Sequence, residues 1–266
     1  MAQLREFGSG AVELETSSAP VATVWLNRPE VLNACNMDVF HGLIDAFDTV
    51  NDLDDIRVVV LRGRGRAFSV GADITERKQM DLEAIRRRRR IAPFAFGAMR
   101  NCIRPVIAAV HGYALGGGLE LALGCDIVLA AEDTDMGLIE TTRGSIPGGG
   151  GTQLLPRLVG VNRAKELIFT GRTFTAQEAA QWGMINGSYP PDELDSRLKT
   201  LLDEICAAAP VSVTQTKQAI DMGLDLDLAN GFKVEAALYE RTMTSSDRLA
   251  GMNSIRRDEP SRFNGS

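Results

Sequence analysis

Histidine is scarce in this sequence: His41 and His111 are the only two among 266 residues. That shortage argues against a histidine-rich metal centre. With no G-x-S-x-G elbow present, it also argues against a Ser-His-Asp hydrolase. The four cysteines, Cys35, Cys102, Cys125 and Cys206, stand at no metal-ligand spacing. They read as small buried hydrophobes of a reducing compartment, and no metal is expected. Glycine is plentiful, but not in a nucleotide-binding pattern. The run at 148–151 leads into Thr152 and Gln153, without the Lys-Ser/Thr of a phosphate-cradling loop, and GYALGGG holds no G-x-G-x-x-G. No apolar run is long enough to cross a bilayer. The first fifteen residues carry neither a signal-peptide core nor an Arg/Ser-rich transit pattern, so a cytoplasmic location is expected. Basic surplus is missing too. The net charge of −6 and a pI near 5.1 argue against a general nucleic-acid binder, whose affinity comes mostly from Lys and Arg on phosphates.

What is present is the composition of a globular protein, 44% hydrophobic and 24% charged, long enough for one sizeable core with or without an appendage. Residues 21–27, 56–63 and 105–112 read as strands, the latter two buried on both faces. Between the first two, Met37, Phe40, Ile44, Phe47 and Val50 recur at helical spacing behind a plausible N-cap, Asn36. Residues 76–100 are charged and read as helical or partly mobile. Five successive helical residues turn through roughly 500°, so Arg86, Arg87, Arg88, Arg89 and Arg90 cannot form one basic stripe. They read as a solvated face, with a role near an anionic ligand as the alternative. Residues 125–132 form another strand and 136–140 a short strand-like piece. Beyond Asn162 the chain reads as all helix, with Gly171, Gly183 and Gly223 placed as C-cap glycines. The fold class is therefore α/β first and helical last.

The stretch of most chemical interest is HGYALGGGLELALGCDIVLAAE. Gly116, Gly117 and Gly118 open a helix with Glu120 in its first turn. Without Cβ atoms, such a turn lets a ligand approach bare N–H groups. A second glycine turn, Val70-Gly71-Ala72-Asp73, also follows a buried strand. Two turns aiming N–H groups at one carbonyl oxygen make an oxyanion hole, in which a single donor is worth roughly 2.7–4 kcal/mol of transition-state stabilisation. Two carboxylates nearby, Glu120 and Glu140, can move a proton and activate water. The combination suits chemistry next to a thioester carbonyl.

AFSVGADI, HGYALGGGLELALGCDIVLAAE and MGLIETTRGSIPGGGGTQLLPRLVG resemble the signature blocks of the crotonase (enoyl-CoA hydratase/isomerase) superfamily. The likeness runs from WLNRPEVLNA to SSDRLAGM and is nearest the 3-methylglutaconyl-CoA hydratase branch. It implies a spiral of β-β-α turns over residues 1–200 holding the active site. A helical trimerisation region over 201–266 would give a homotrimer or dimer of trimers. It implies that the N–H groups of Ala72 and Gly117 hold the thioester oxygen. It further implies that Glu120 is the base towards the attacking water and Glu140 the acid that protonates the α-carbon. Their separation of twenty residues is that of a two-glutamate hydratase. Val31, Leu32, Val70, Ala72, Asp73, Ile74, Gly117 and Tyr239 map to substrate-binding positions, Tyr239 near a neighbouring subunit's CoA. No separate cofactor is implied, since the acyl-CoA substrate carries coenzyme A. Where many relatives have Lys, this chain has Thr75 and Glu30; Arg256, Arg257 or the five-arginine run are then the candidates for the CoA phosphates.

The expected function is hydration of a 2-enoyl-CoA in fatty acid metabolism, as in β-oxidation. Another crotonase-type reaction, an enoyl-CoA isomerase or acyl-CoA lyase, is the enzymatic alternative. An RNA-binding or scaffold role is the third, and the helix from Met37 speaks against it. That helix carries Asp38, Asp45 and Asp48, with Asp52 at its end, and no Lys or Arg.

Overall fold

The computed structural model describes residues 3–16, 20–257 and 263–265, and side chains through residue 254 and at 263–265. Arg256 and Arg257 are therefore placed by backbone only, and their side chains lie outside the described part. Two compact units divide the chain, Met1–Cys102 with Val106–Leu198, and Ile103–Pro105 with Lys199–Ser266.

The first unit begins with β1 (Gln3–Phe7), β2 (Val12–Thr16) and β3 (Val21–Leu26), followed by α1 (Met37–Asn51) and β4 (Val58–Gly63). Two helices follow, α2 (Ile74–Gln79) and α3 (Leu82–Asn101), before β5 (Val106–Val110) and β6 (Tyr113–Leu115). Then come α4 (Gly117–Leu123), β7 (Ile127–Ala131), β8 (Asp135–Gly137), α5 (Gly151–Val159) and α6 (Val161–Thr170). The unit closes with β9 (Phe174–Thr175), α7 (Ala176–Gln181), β10 (Gly187–Tyr189) and the start of α8 (Leu194–Ala207). The second unit contains α9 (Pro210–Gly223), α10 (Leu228–Met243) and α11 (Ser246–Arg257).

Seven strands form one sheet in the order β1-β2-β3-β4-β5-β7-β10, antiparallel at the β1-β2-β3 end and parallel from β3 onward. Parallel pairing demands crossovers, and α1 makes the first, from β3 to β4. Its start is fixed by Asn36, whose side chain accepts the Val39 N–H at 3.0 Å. Val39, Phe40, Leu43, Ala46, Phe47 and Val50 are buried along one helix face; of the positions the spacing named, Phe40, Phe47 and Val50 are buried and Met37 and Ile44 half-buried. The wholly aliphatic strand β5 is buried along its length, and β4 is buried except at the half-buried Arg62. A smaller sheet, β6-β8-β9, pairs β6 with β8 in parallel, and this pairing brings the two halves of the site together.

Three sequence expectations need correction. The region beyond Asn162 is not all helix, because β9 and β10 interrupt it. Residues 136–140 are not one strand; β8 ends at Gly137, and Glu140 opens a 3-10 turn, Glu140–Arg143. Gly171 caps α6 in the left-handed conformation and Gly183 follows α7 with φ of +72°, but Gly223 is the last residue of α9, which Leu224 caps. No helix among the described residues is long and apolar enough to cross a membrane.

Candidate active site

The two glycine turns meet. An isolated bridge joins Ser69 to Ala114, with Leu115 N donating to the Ser69 carbonyl at 3.0 Å, so the chain leaving β6 lies against the segment after β4. Contact this close leaves no space for side chains. A Cβ on Gly118 would stand 2.2 Å from the Ser69 carbonyl oxygen, and one on Gly71, whose φ is +80°, would stand 2.7 Å from Gly117 N. Ala72 N is 3.9 Å from the point a Gly117 Cβ would occupy. Two N–H groups therefore lie side by side.

Neither is consumed by its own element. Gly117 is the first residue of α4, where helical N–H groups have no partner in the preceding turn. Ala72 bridges to Cys35, but the bridge is carried by its neighbours: Cys35 N donates to the Gly71 carbonyl and Asp73 N to the Cys35 carbonyl. The turn is held from below by Asp73, which caps α2 by accepting from Thr75 N and Glu76 N, and by Arg28, whose Nη1 is 2.8 Å from Asp73 Oδ2. Partial burial pushes the Asp73 carboxyl up, yet the Arg28 bond and these N–H groups hold it below the ordinary carboxylate range. Its side chain is thus committed to the turn itself.

Glu120, 3% exposed, reaches across to the second glycine-rich loop. Its Oε1 accepts Gly149 N at 2.7 Å and Gly151 N at 2.8 Å. Burial raises its pKa, and the backbone donors at Gly151, Gly149 and Gly148 oppose the rise. Glu140 comes from the 3-10 turn beyond β8. Gly116, with φ of +52°, makes room for it: a Cβ there would stand 2.9 Å from Glu140 Oε1. The other oxygen of Glu140, Oε2, is buried without a hydrogen-bond partner. Burial foremost, with the Glu120 charge adding to it, pushes Glu140 up to about 7. Glu140 is pushed up to about 7 against one backbone N–H bond, whereas Glu120 Oε1 is anchored by the Gly149 and Gly151 N–H groups, which favour its ionised form.

Both carboxylates line one cavity with Val70, Ala72, Ile74 and Gly117. Val31 and Leu32 lie on the neighbouring turn, where the Leu32 carbonyl accepts Val70 N at 3.1 Å. Tyr239 is on α10, exposed, its hydroxyl accepting from Arg248 Nη1 at 3.2 Å. Two contributors were missed in the sequence. The Gly149 and Gly151 N–H groups anchor Glu120, and Phe96 of α3 wedges between loops, its ring 2.6 Å from a Gly149 Cβ position and 3.4 Å from that of Gly117. Apolar spacing at Ala92, Ala95, Phe96 and Met99 was the available signal for Phe96. The helix-opening glycines at 150 and 151 signalled a turn, not its target.

Such a site can polarise a carbonyl between Ala72 N and Gly117 N while two carboxylates in unequal surroundings handle a water. Comparison with known proteins shows the family. Residues 16–264 match the family model described as enoyl-CoA hydratase/isomerase. The chain is 41% identical over 256 residues to the mitochondrial enoyl-CoA hydratase domain-containing protein 2 of Bos taurus, covering 92% of this chain and 84% of that protein. It is 36% identical over 263 residues to the mitochondrial methylglutaconyl-CoA hydratase of Mus musculus, covering 95% and 82%. The crystal structure of an enoyl-CoA hydratase from Bacillus anthracis superposes with a TM-score of 0.93 at 36% identity, covering 96% of this chain and all of that one. In fold and in sequence, this chain belongs to the enoyl-CoA hydratase/isomerase family.

Proposed function

We propose that the protein hydrates 2-enoyl-CoA thioesters, adding water reversibly across the C2–C3 double bond. The observation that carries the reading is the unequal pair of glutamates beside two converging N–H groups. Ala72 N and Gly117 N receive the thioester oxygen. Glu120, ionised, takes a proton from water as its oxygen bonds to C3. The π electrons move towards the thioester, and negative charge grows on the oxygen held by the two N–H groups, where fixed dipoles stabilise it most. Glu140 delivers its proton to C2, completing the hydroxyacyl product. Exchange with water returns both carboxyls to their starting states. An isomerase needs only one carboxyl to carry a proton between carbons, so retention of both favours hydration.

Val31, Leu32, Val70, Ile74 and the backbone of Asp73 line the approach of the CoA chain in this reading. A trimer or dimer of trimers, a cytoplasmic location and a place in fatty acid oxidation belong to the same proposal. Exposed Ile220, Leu224 and Phe232 on α9, its cap and α10 support assembly through the helical unit. Tyr239 would then face a neighbouring subunit's CoA. The test is direct: purified protein with crotonyl-CoA should consume the conjugated enoyl thioester and yield 3-hydroxybutyryl-CoA. Light scattering on the same sample reports the assembly.

A further inference from the structure

Phe96 of α3 lines the cavity that holds Glu120 and Glu140, and its ring reaches two backbone segments there. At Gly149 the three atoms nearest a Cβ position, at 2.6, 2.7 and 2.7 Å, all belong to the Phe96 ring. Gly149 does not adopt a positive φ, so the ring, and not a left-handed backbone, keeps a side chain out of this position. The N–H of the same residue donates to Glu120 Oε1 at 2.7 Å. On the other side, the ring tip Cζ is 3.4 Å from a Cβ position on Gly117, nearer than Gly71 Cα at 3.6 Å or Ala72 N at 3.9 Å.

The ring is held from behind. Phe40 of α1, itself fully buried, meets it edge to face, with centroids 5.7 Å apart and ring planes at 63°. The Arg88 guanidinium stands over the Phe40 ring in turn, 4.5 Å from its centre. Ala92, Ala95 and Met99 of α3 are buried with Phe96 on the same helix. In a close-packed interior such a ring cannot yield without shifting its neighbours. Towards the cavity those neighbours are two glycines, which present only backbone. Movement of the ring therefore passes directly to Gly117 N and Gly149 N.

We propose that Phe96 is a positioning residue for the reaction: its ring sets the spacing between Gly117 N, which receives the thioester oxygen, and Gly149 N, which anchors Glu120. The inference rests on the hydratase reading above and adds to it the group that fixes the site's dimensions. Misplacing a reacting group by about an ångström can cost about 10²-fold in rate. The ring acts on the geometry of the transition state and not on the grip of CoA, so its loss should lower kcat and kcat/KM by the same factor.

A double-mutant cycle on crotonyl-CoA hydration tests this, with Phe96→Ala and Gly149→Ala each verified as folded, and Phe96→Leu taking the place of Phe96→Ala if the larger truncation unfolds the chain. Truncating Phe96 should lower kcat and kcat/KM together by roughly 10- to 100-fold. Gly149→Ala alone should cost a similar factor, because its methyl group strikes the ring. Added to the Phe96 truncation, the same methyl should cost less than about threefold, since the ring it would strike is gone. Equal losses from Gly149→Ala in both backgrounds overturn the proposal. So does a raised KM with parental kcat on truncating Phe96, the mark of a pocket wall and nothing more. Infrared difference spectra of bound butyryl-CoA, saturated and labelled with carbon-13 at the thioester carbonyl, read the same geometry without turnover. Two N–H donors should move that band to lower frequency in the parent, and the movement should be smaller in Gly149→Ala and in the Phe96 truncation. A parental band in both variants overturns the proposal. A parent that leaves the band unmoved overturns it together with the acyl-thioester reading. A parent that moves the band yet hydrates no enoyl-CoA refutes the hydratase reading alone, and the band in the two variants then decides the role of Phe96.

Discussion

Glu120 Oε1 accepts two backbone N–H groups, from Gly149 at 2.7 Å and Gly151 at 2.8 Å, whereas Glu140 Oε2 in the same cavity is buried and accepts none. The two carboxyls are chemically identical in the sequence and stand in unlike surroundings in the folded chain.

Hydration should require Glu140 protonated. With Glu140 raised to about 7, kcat/KM for hydration should fall as pH rises through that value. A pH–rate profile that stays level from pH 6 to pH 9 would remove Glu140 as the acid.

Replacing either carboxyl by its amide preserves shape and removes proton transfer. Glu120→Gln and Glu140→Gln should each lower kcat by about 10²–10⁴ while circular dichroism remains that of the parent. Near-parental turnover in either variant would cancel that residue's role.

Glu140 should also cost stability, in a pH-dependent way. Its folded-state pKa is above the ordinary value of 4.5, so the native state holds this proton more tightly than the unfolded chain does. Stability from this group is fully present below pH 4.5 and is lost as pH rises through about 7. Glu140→Gln should therefore melt a few degrees higher than the parent at pH 8. The gap should close towards pH 4.5. Parallel melting curves across that range would contradict the burial argument.

The close approach of the two glycine turns is testable by a single methyl group. Gly118→Ala would place Cβ 2.2 Å from the Ser69 carbonyl oxygen, backbone against backbone, with no flexible side chain to yield. The expected cost is about 1–3 kcal/mol of stability. Displacing the N–H pair by about an ångström should add a loss in kcat approaching 10²-fold. An unchanged melting temperature would mean that the turns do not meet as described.

Much of this site was readable locally. Asn36 announced the start of α1, and Gly116, Gly117 and Gly118 with Glu120 announced a helix opening with a carboxylate in its first turn, because caps and first turns are short-range features. Glu140 was identifiable, but its 3-10 turn was not, since an apolar run of five residues does not distinguish a strand from a turn that follows one. The anchoring of Glu120 by Gly149 and Gly151 spans about thirty residues of sequence and depends on how α4 and α5 approach each other. The arginine run was readable as a helix that turns its charges in all directions. Arg86, Arg87 and Arg90 do face solvent, while Arg88 is buried. Which of five identical residues would face inward was decided by the packing of α3 on Phe40 and not by the run itself.

The central claim is that water, not an internal proton shift, is the chemistry of this cavity. Turnover of crotonyl-CoA in oxygen-18 water, followed by mass spectrometry of the thioester product, tests it most directly. The expected product carries one oxygen-18 atom in the hydroxyl at C3. A rearranged enoyl thioester with no label, or no product at all from any 2-enoyl-CoA supplied, would contradict it.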